Sequence, residues 1–199
     1  MKKCLYTLAM IAFVLPLAAQ QTVKEAEKDT ADKAAFSRLI RPEDKMEILG
    51  RLVGTWEGTF NILMHGTPPV AATIKDRLEA KWILGDSFID TEFTTEFRTD
   101  KTKGRVTMGY NGGKKHFYRI FLADWDPRST YSTGQYIRSR NALVFKGAED
   151  DPLTGDSFEK RDTFTFVDKD KIYYEQFYTF ADGSEVRVME GHYIRVSGK

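Results

Sequence analysis

The stretch VRVMEGHYIRV, residues 186–196, alternates as a β-strand does, yet Glu190 and His192 share a face with Val186, Val188 and Ile194. Upstream, IYYEQFYTF, residues 172–180, puts Glu175 between Tyr173 and Phe177 on one face. Two-residue turns at Lys169-Asp170 and Asp182-Gly183 would set Phe166 against Tyr173, Phe164 against Glu175, Glu175 against Glu190, and Tyr173 against His192. That face, with Phe158, Lys160 and Asp162, is the more apolar of the two and is read as interior; a one-residue slip would invert it. Opposed carboxylates have Cβ atoms roughly 4.5–5.5 Å apart. They stay charged together only around a cation, for which Arg119 and Lys160 are candidates; otherwise one holds a proton with a raised pKa.

Such a cluster suits three roles. It can be a satisfied polar network with Arg119 clamped between Glu175 and Glu190. It can hold the polar end of a small apolar ligand, with Tyr173 and His192 beside the acids and Phe164, Phe166, Phe177 and Trp82 as walls. It can be an acid/base pair served by Arg119 and Tyr173. The binding role is the expected one, with a lyase or isomerase as the alternative. No cofactor and no metal site is expected; haem held by His192 is a further alternative.

Other chemistries lack their residues. There is no P-loop, no G-x-G-x-x-G, no H-E-x-x-H and no G-x-S-x-G. His65, His116 and His192 fall on different segments, which disfavours a three-histidine metal centre. The aromatic runs come without basic tracts, and the formal net charge is only +1, so nucleic acid is not an expected partner. The oligomeric state is not legible.

The elements that must position the cluster are strands. Runs near 54–64, 70–83, 86–97, 104–110, 115–123, 129–139, 142–147, 157–167, 171–180 and 184–196 are separated by turn signals such as Gly85-Asp86, Asn111-Gly112-Gly113 and Arg140-Asn141. About ten sequential antiparallel strands argue for an all-β, closed up-and-down barrel, with a sandwich as the alternative. Pro42, followed by Glu43 and Asp44, opens a short helix whose Met46, Leu49, Leu52 and Val53 would plug one end.

The first nineteen residues read as a secretory signal peptide: Lys2 and Lys3, an apolar run to Leu17, then Ala18-Ala19. The run is too short to span a membrane, so no stable membrane insertion is expected once it is removed. Cys4, the only cysteine, would leave with it. An exported protein, periplasmic or extracellular, is expected. Residues 20–41 read as a mobile or partly helical leader, and 42–199 as one barrel domain.

LVGTWEG at residues 52–58 places Gly54 and Trp56 at the start of the first strand, and Arg195 ends the last. That pairing resembles the calycin superfamily of lipocalins and fatty-acid-binding proteins, in which an arginine packs over the first-strand tryptophan. With Gly109-Tyr110-Asn111, the loop residues Asp151, Pro152, Thr154 and Gly155, and the closing Met189, Glu190, Tyr193 and Arg195, the chain is similar to a secreted bacterial family catalogued as domain of unknown function 1579. The resemblance implies a calycin-like barrel with a central cavity and structural roles for Gly54, Trp56 and Arg195. It implies no reaction. The DPLTG loop itself reads as a turn rather than a Ca²⁺ site.

Overall fold

Period-two alternation dominates the chain from Gly54 onward, and the computed structural model turns it into one closed sheet. Described are residues 28–64, 70–150, 155 and 157–197; the segment read as a signal peptide, most of the DPLTG loop and His65 lie outside them. The strands are β1 (Gly54–Met64), β2 (Val70–Ile83), β3 (Phe88–Phe97), β4 (Asp100–Asn111), β5 (His116–Ala123), β6 (Asp126–Ile137), β7 (Ala142–Asp150), β8 (Ser157–Phe166), β9 (Lys171–Thr179) and β10 (Glu185–Ser197). Each pairs antiparallel with its sequence neighbours, and β1 pairs with both β2 and β10, so no edge is left open. This is an all-β, up-and-down calycin-like barrel of ten strands with a short helix before the first.

The leader contains α1, residues 28–40, a helix whose Phe36, Leu39 and Ile40 are exposed. The short helix α2 (Glu43–Gly50) precedes β1, with Glu43 and Asp44 at its positive end and Leu49 fully buried. At this end Trp56 Nε1 donates to the Leu52 carbonyl at 2.8 Å. The Arg195 guanidinium lies 4.0 Å from the Trp56 ring centre and donates to the carbonyls of Val53 and, at 2.9 Å, Arg51. Gly54 has φ of 128°, which a residue with a side chain rarely adopts. Asn141, left-handed at φ 50°, accepts from Arg51 at 2.8 Å and from the Tyr136 hydroxyl at 2.6 Å, tying α2's exit to the strand ends. Trp56, Phe60, Phe117, Leu143 and Phe145 are among the most deeply buried side chains of the core.

The last two hairpins decide which residues face in, and here the sequence reading is corrected. Between β8 and β9 the turn has three residues, Asp168-Lys169-Asp170, not two. The Val167 amide donates to the Lys171 carbonyl at 3.0 Å, and Asp168 Oδ1 accepts from the Asp170 amide at 2.8 Å. The pairing is therefore Phe166 with Ile172, Phe164 with Tyr174 and Asp162 with Gln176. One residue of slip turns the opposite face of β9 inward.

Between β9 and β10 the loop is Ala181-Asp182-Gly183, with Gly183 left-handed at φ 82°. A bulge between Arg187 and Met189 then takes up one residue, so Glu175 does oppose Glu190 and Tyr173 does oppose His192. The expected pairs are real; the face they occupy is the outer one.

Candidate functional site

The interior above the closed end is a cavity of about 660 Å³ that reaches the surface beside the exposed Trp125. Its walls come from alternate residues of every strand, as the pleat requires. Ile62, Ile74, Leu78, Val106 and Met108 make an apolar side. Phe93 stacks on Phe121 with ring centres 5.3 Å apart, and Trp125 meets both rings at 6.0 and 5.9 Å.

One acidic centre lies across the barrel interior. Asp162 of β8 is fully buried; its Oδ1 accepts from the Tyr174 hydroxyl at 2.5 Å and from Gln176 Nε2 at 2.9 Å, and its Oδ2 from Arg119 of β5. Burial pushes this carboxyl up, but Arg119, Lys160 and the two hydrogen bonds outweigh it, so it sits below the usual carboxylate value. Burial pushes the Tyr174 hydroxyl well above its ordinary value, with Asp162 adding to the effect. Nearer the mouth Lys160 pairs with Glu149 at 2.7 Å, and Arg128 with Asp126 at 2.6 Å.

A second acid stands apart. Asp76 of β2 accepts from the Tyr193 hydroxyl at 2.9 Å, while its other oxygen is buried without a hydrogen bond. Burial raises its carboxyl above the usual range against the weaker pull of the Thr95 and Tyr193 hydroxyls.

Of the residues singled out in the sequence, Arg119 and Phe164 line the cavity. Phe166 is buried at the closed end beneath Arg51, whose guanidinium is 3.8 Å from its ring centre. Trp82 packs there as well, close to Gly50. Glu175, Glu190, Tyr173, His192 and Phe177 lie on the outer face, which corrects their expected inward placement. Arg187 bridges Glu190 at 2.9 Å and Glu175 at 3.4 Å, so an external cation joins the two acids instead of Arg119. Tyr173 donates to Glu190 at 2.9 Å, and its hydroxyl is pushed up to about 12 by desolvation and then by that bond. His192 is exposed against Tyr173, and desolvation and Lys171 lower its pKa; it offers no ligand to a haem inside the barrel. The Arg161 guanidinium covers Phe177 at 4.0 Å.

The sequence reading did not single out Asp76, Tyr174 or Gln176, and named Tyr193 only as part of the closing motif. Asp76 carried the same signal as Glu190, an acid inside the apolar alternation Ile74, Leu78, Ala80, Trp82. Asp162 and Lys160 were already assigned to the inner face, and there they are. Among the described residues no group of three His, Cys, Asp or Glu side chains is arranged to hold a metal, and no helix is long and apolar enough to cross a membrane.

Two solved structures share this fold. The S-type phycobiliprotein lyase CPES from Guillardia theta is 13% identical, with a TM-score of 0.53 over 77% of this chain and 93% of that one. Rv2717c from M. tuberculosis is 11% identical, with a TM-score of 0.54 over 76% and 97%. No curated protein sequence matches the chain. The model of the family described as "Protein of unknown function (DUF1579)" matches residues 41–195.

Proposed function

The chain belongs to that DUF1579 family, and from this premise we propose that it binds a small, largely apolar molecule with a polar end inside the barrel. The observation that carries this reading is the cavity of about 660 Å³, walled by Phe93, Phe121, Ile74 and Leu78, with polar groups such as Asp76 and Arg119 set among them. α2, Trp56 and Arg195 close one end, and the cavity lining extends to the exposed Trp125. Arg119, Phe164 and Asp76 touch the occupant in this reading, and the outer residues Glu175, Glu190, Tyr173, His192 and Phe177 do not.

The test is mass spectrometry of the chain purified from its native host, under native and then denaturing conditions. A bound mass lost on denaturation is expected, and Leu78→Trp, which narrows the cavity, should lower its occupancy. An empty wild-type chain in every preparation would overturn the reading.

A second reading, a lyase or isomerase, is favoured by Asp76. Its carboxyl, raised by burial, belongs to the cavity wall, as a general acid's would. The lyase named above has the same fold, which supports this reading only by analogy. A bound compound that turns over, and survives intact in Asp76→Asn, would distinguish an enzyme from a carrier.

Export belongs to the same proposal, carried by the basic, apolar and small-residue pattern of residues 1–19. Sequencing the mature N-terminus should find it at Gln20 or Gln21; an intact Met1 in the exported fraction would refute cleavage there.

A further inference from the structure

The cavity contains more charge than an apolar ligand needs, and the charges match off pair by pair. Arg128 is held by Asp126, with contacts at 2.6 and 2.9 Å. Lys160 is held by Glu149 at 2.7 Å. Arg119 is held by Asp162, which Tyr174 and Gln176 also saturate. Asp76 has no such partner: no ion pair reaches it among the described residues.

Its surroundings explain why. Along β2 its same-face neighbours are Ile74 and Leu78. Across from it on β1 is Gly58, which has no side chain. A Cβ there would come within 2.7 Å of the Tyr193 ring, so the glycine leaves the space through which Tyr193 reaches Asp76. Across on β3 is Thr95, and β10 contributes Tyr193. Both are neutral hydroxyl groups. A carboxylate in such a place is costly unless a proton or a cation joins it.

The walls favour a cation. Phe93, Phe121 and Trp125 form a contiguous aromatic surface in the same cavity, and ring faces attract ammonium groups. An anionic ligand would find every cation of the cavity already bound to an acid, and would have to break an ion pair to use one.

We propose that the ligand is an apolar molecule bearing a protonated amine, seated with its N–H donors on the Asp76 carboxylate beside Thr95 and Tyr193. The proposal rests on the cavity-binding reading and names the ligand class for it. It separates this barrel from one that takes a fatty acid through an internal arginine: here Arg119 positions Asp162 and the polar network, and Asp76 recognises the ligand. Protons compete for the same carboxylate. The groups facing Asp76 from β1, β3 and β10 are Gly58, Thr95 and Tyr193, none of which changes charge between pH 5 and 8.

The test compares dodecylamine with dodecanoate, each below its micelle concentration. Trp56 and Trp125 line the cavity, so their fluorescence reports occupancy, and calorimetry gives the affinities. At neutral pH the amine should bind at least about tenfold more tightly than the carboxylate, a difference of about 1.4 kcal/mol. Asp76→Asn, of nearly the same shape, should erase that preference while circular dichroism shows the barrel intact. Should that variant fail to fold, the wild type still decides: amine affinity must fall as the pH is lowered and Asp76, its carboxyl raised by burial, takes up its proton. Equal or tighter binding of dodecanoate, a preference that survives in Asp76→Asn, or an amine affinity indifferent to pH would each overturn the proposal while leaving a binding cavity in place. Failure of both probes, together with an empty native mass spectrum, would overturn the cavity-binding reading beneath it.

Discussion

Strands β8 to β10 carry two acidic clusters, one on each side of the sheet, and the two are built to different standards. Inside, Asp162 is saturated by Arg119, Tyr174 and Gln176, all of them buried. Outside, Glu175 and Glu190 share the solvent-facing Arg187 and a bond from Tyr173. The difference follows from water. An exposed acid needs no protein partner, so its contacts are loose and contribute little. A buried one is stable only when its oxygens are occupied. By that rule Asp76, inside with one oxygen unoccupied and no ion pair among the described residues, points to function.

The strongest way to break the comparison is to exchange the two faces. Deleting Lys169 shortens the β8–β9 turn to two residues. It would drive Tyr173 and Glu175 inward and pull Tyr174 and Gln176 off Asp162. The expected outcome is loss of cooperative urea unfolding and of the native β-sheet spectrum; a folded variant of unchanged stability would refute the importance of this register.

Next in size is the interior cluster itself. Asp162→Ala leaves Arg119 buried without its partner and should cost about 3–5 kcal/mol in urea unfolding. The pH dependence has a definite sign. The folded-state carboxyl lies below its ordinary 3.8, so its stabilisation is complete above that value and is lost as pH falls through the folded one. Asp162→Asn should therefore flatten the acid limb of the stability profile.

Asp76 should behave in the opposite sense. Its folded-state carboxyl is raised above 3.8, so its relative stabilisation is present below that value and disappears as pH rises through the folded one. Without ligand, Asp76→Asn should be more stable than wild type at neutral pH by roughly 1 kcal/mol, the scale of relieving an unpaired buried polar group. The advantage should shrink on acidification. A variant less stable than wild type at neutral pH would mean that Asp76 is satisfied.

The smallest effect belongs to the outer cluster. Arg187→Ala removes the bridge between Glu175 and Glu190, yet chemical denaturation should shift by under about 1 kcal/mol, and ligand binding not at all. A change in binding would bring the outer face back into the site.

The fold was legible because its signals are local and repeated. Alternation marked ten strands, Pro42 with Glu43 and Asp44 marked α2, and LVGTWEG with Arg195 marked where the barrel begins and ends. The two bends for which no turn signal was read lack glycine and asparagine: Arg98-Thr99 turns with Arg98 left-handed at φ 55°, and Asp124-Trp125 turns with Asp124 capping the Lys103 amide at 3.0 Å. The site was half legible. An acid among apolar alternate residues was the right kind of clue, but it was followed at Glu190 and passed over at Asp76.

What the sequence determined by itself was the set of alternating strands, their order and the helix that precedes them, because these rest on periodicity and propensity over short spans. Only the tertiary structure decided which side of β9 and β10 faces the cavity. That choice hangs on one residue in the Asp168-Lys169-Asp170 turn and one in the bulge after Arg187. With a side-chain period of two, a single residue exchanges inside for outside, and no count of apolar residues on nearly balanced faces can settle it.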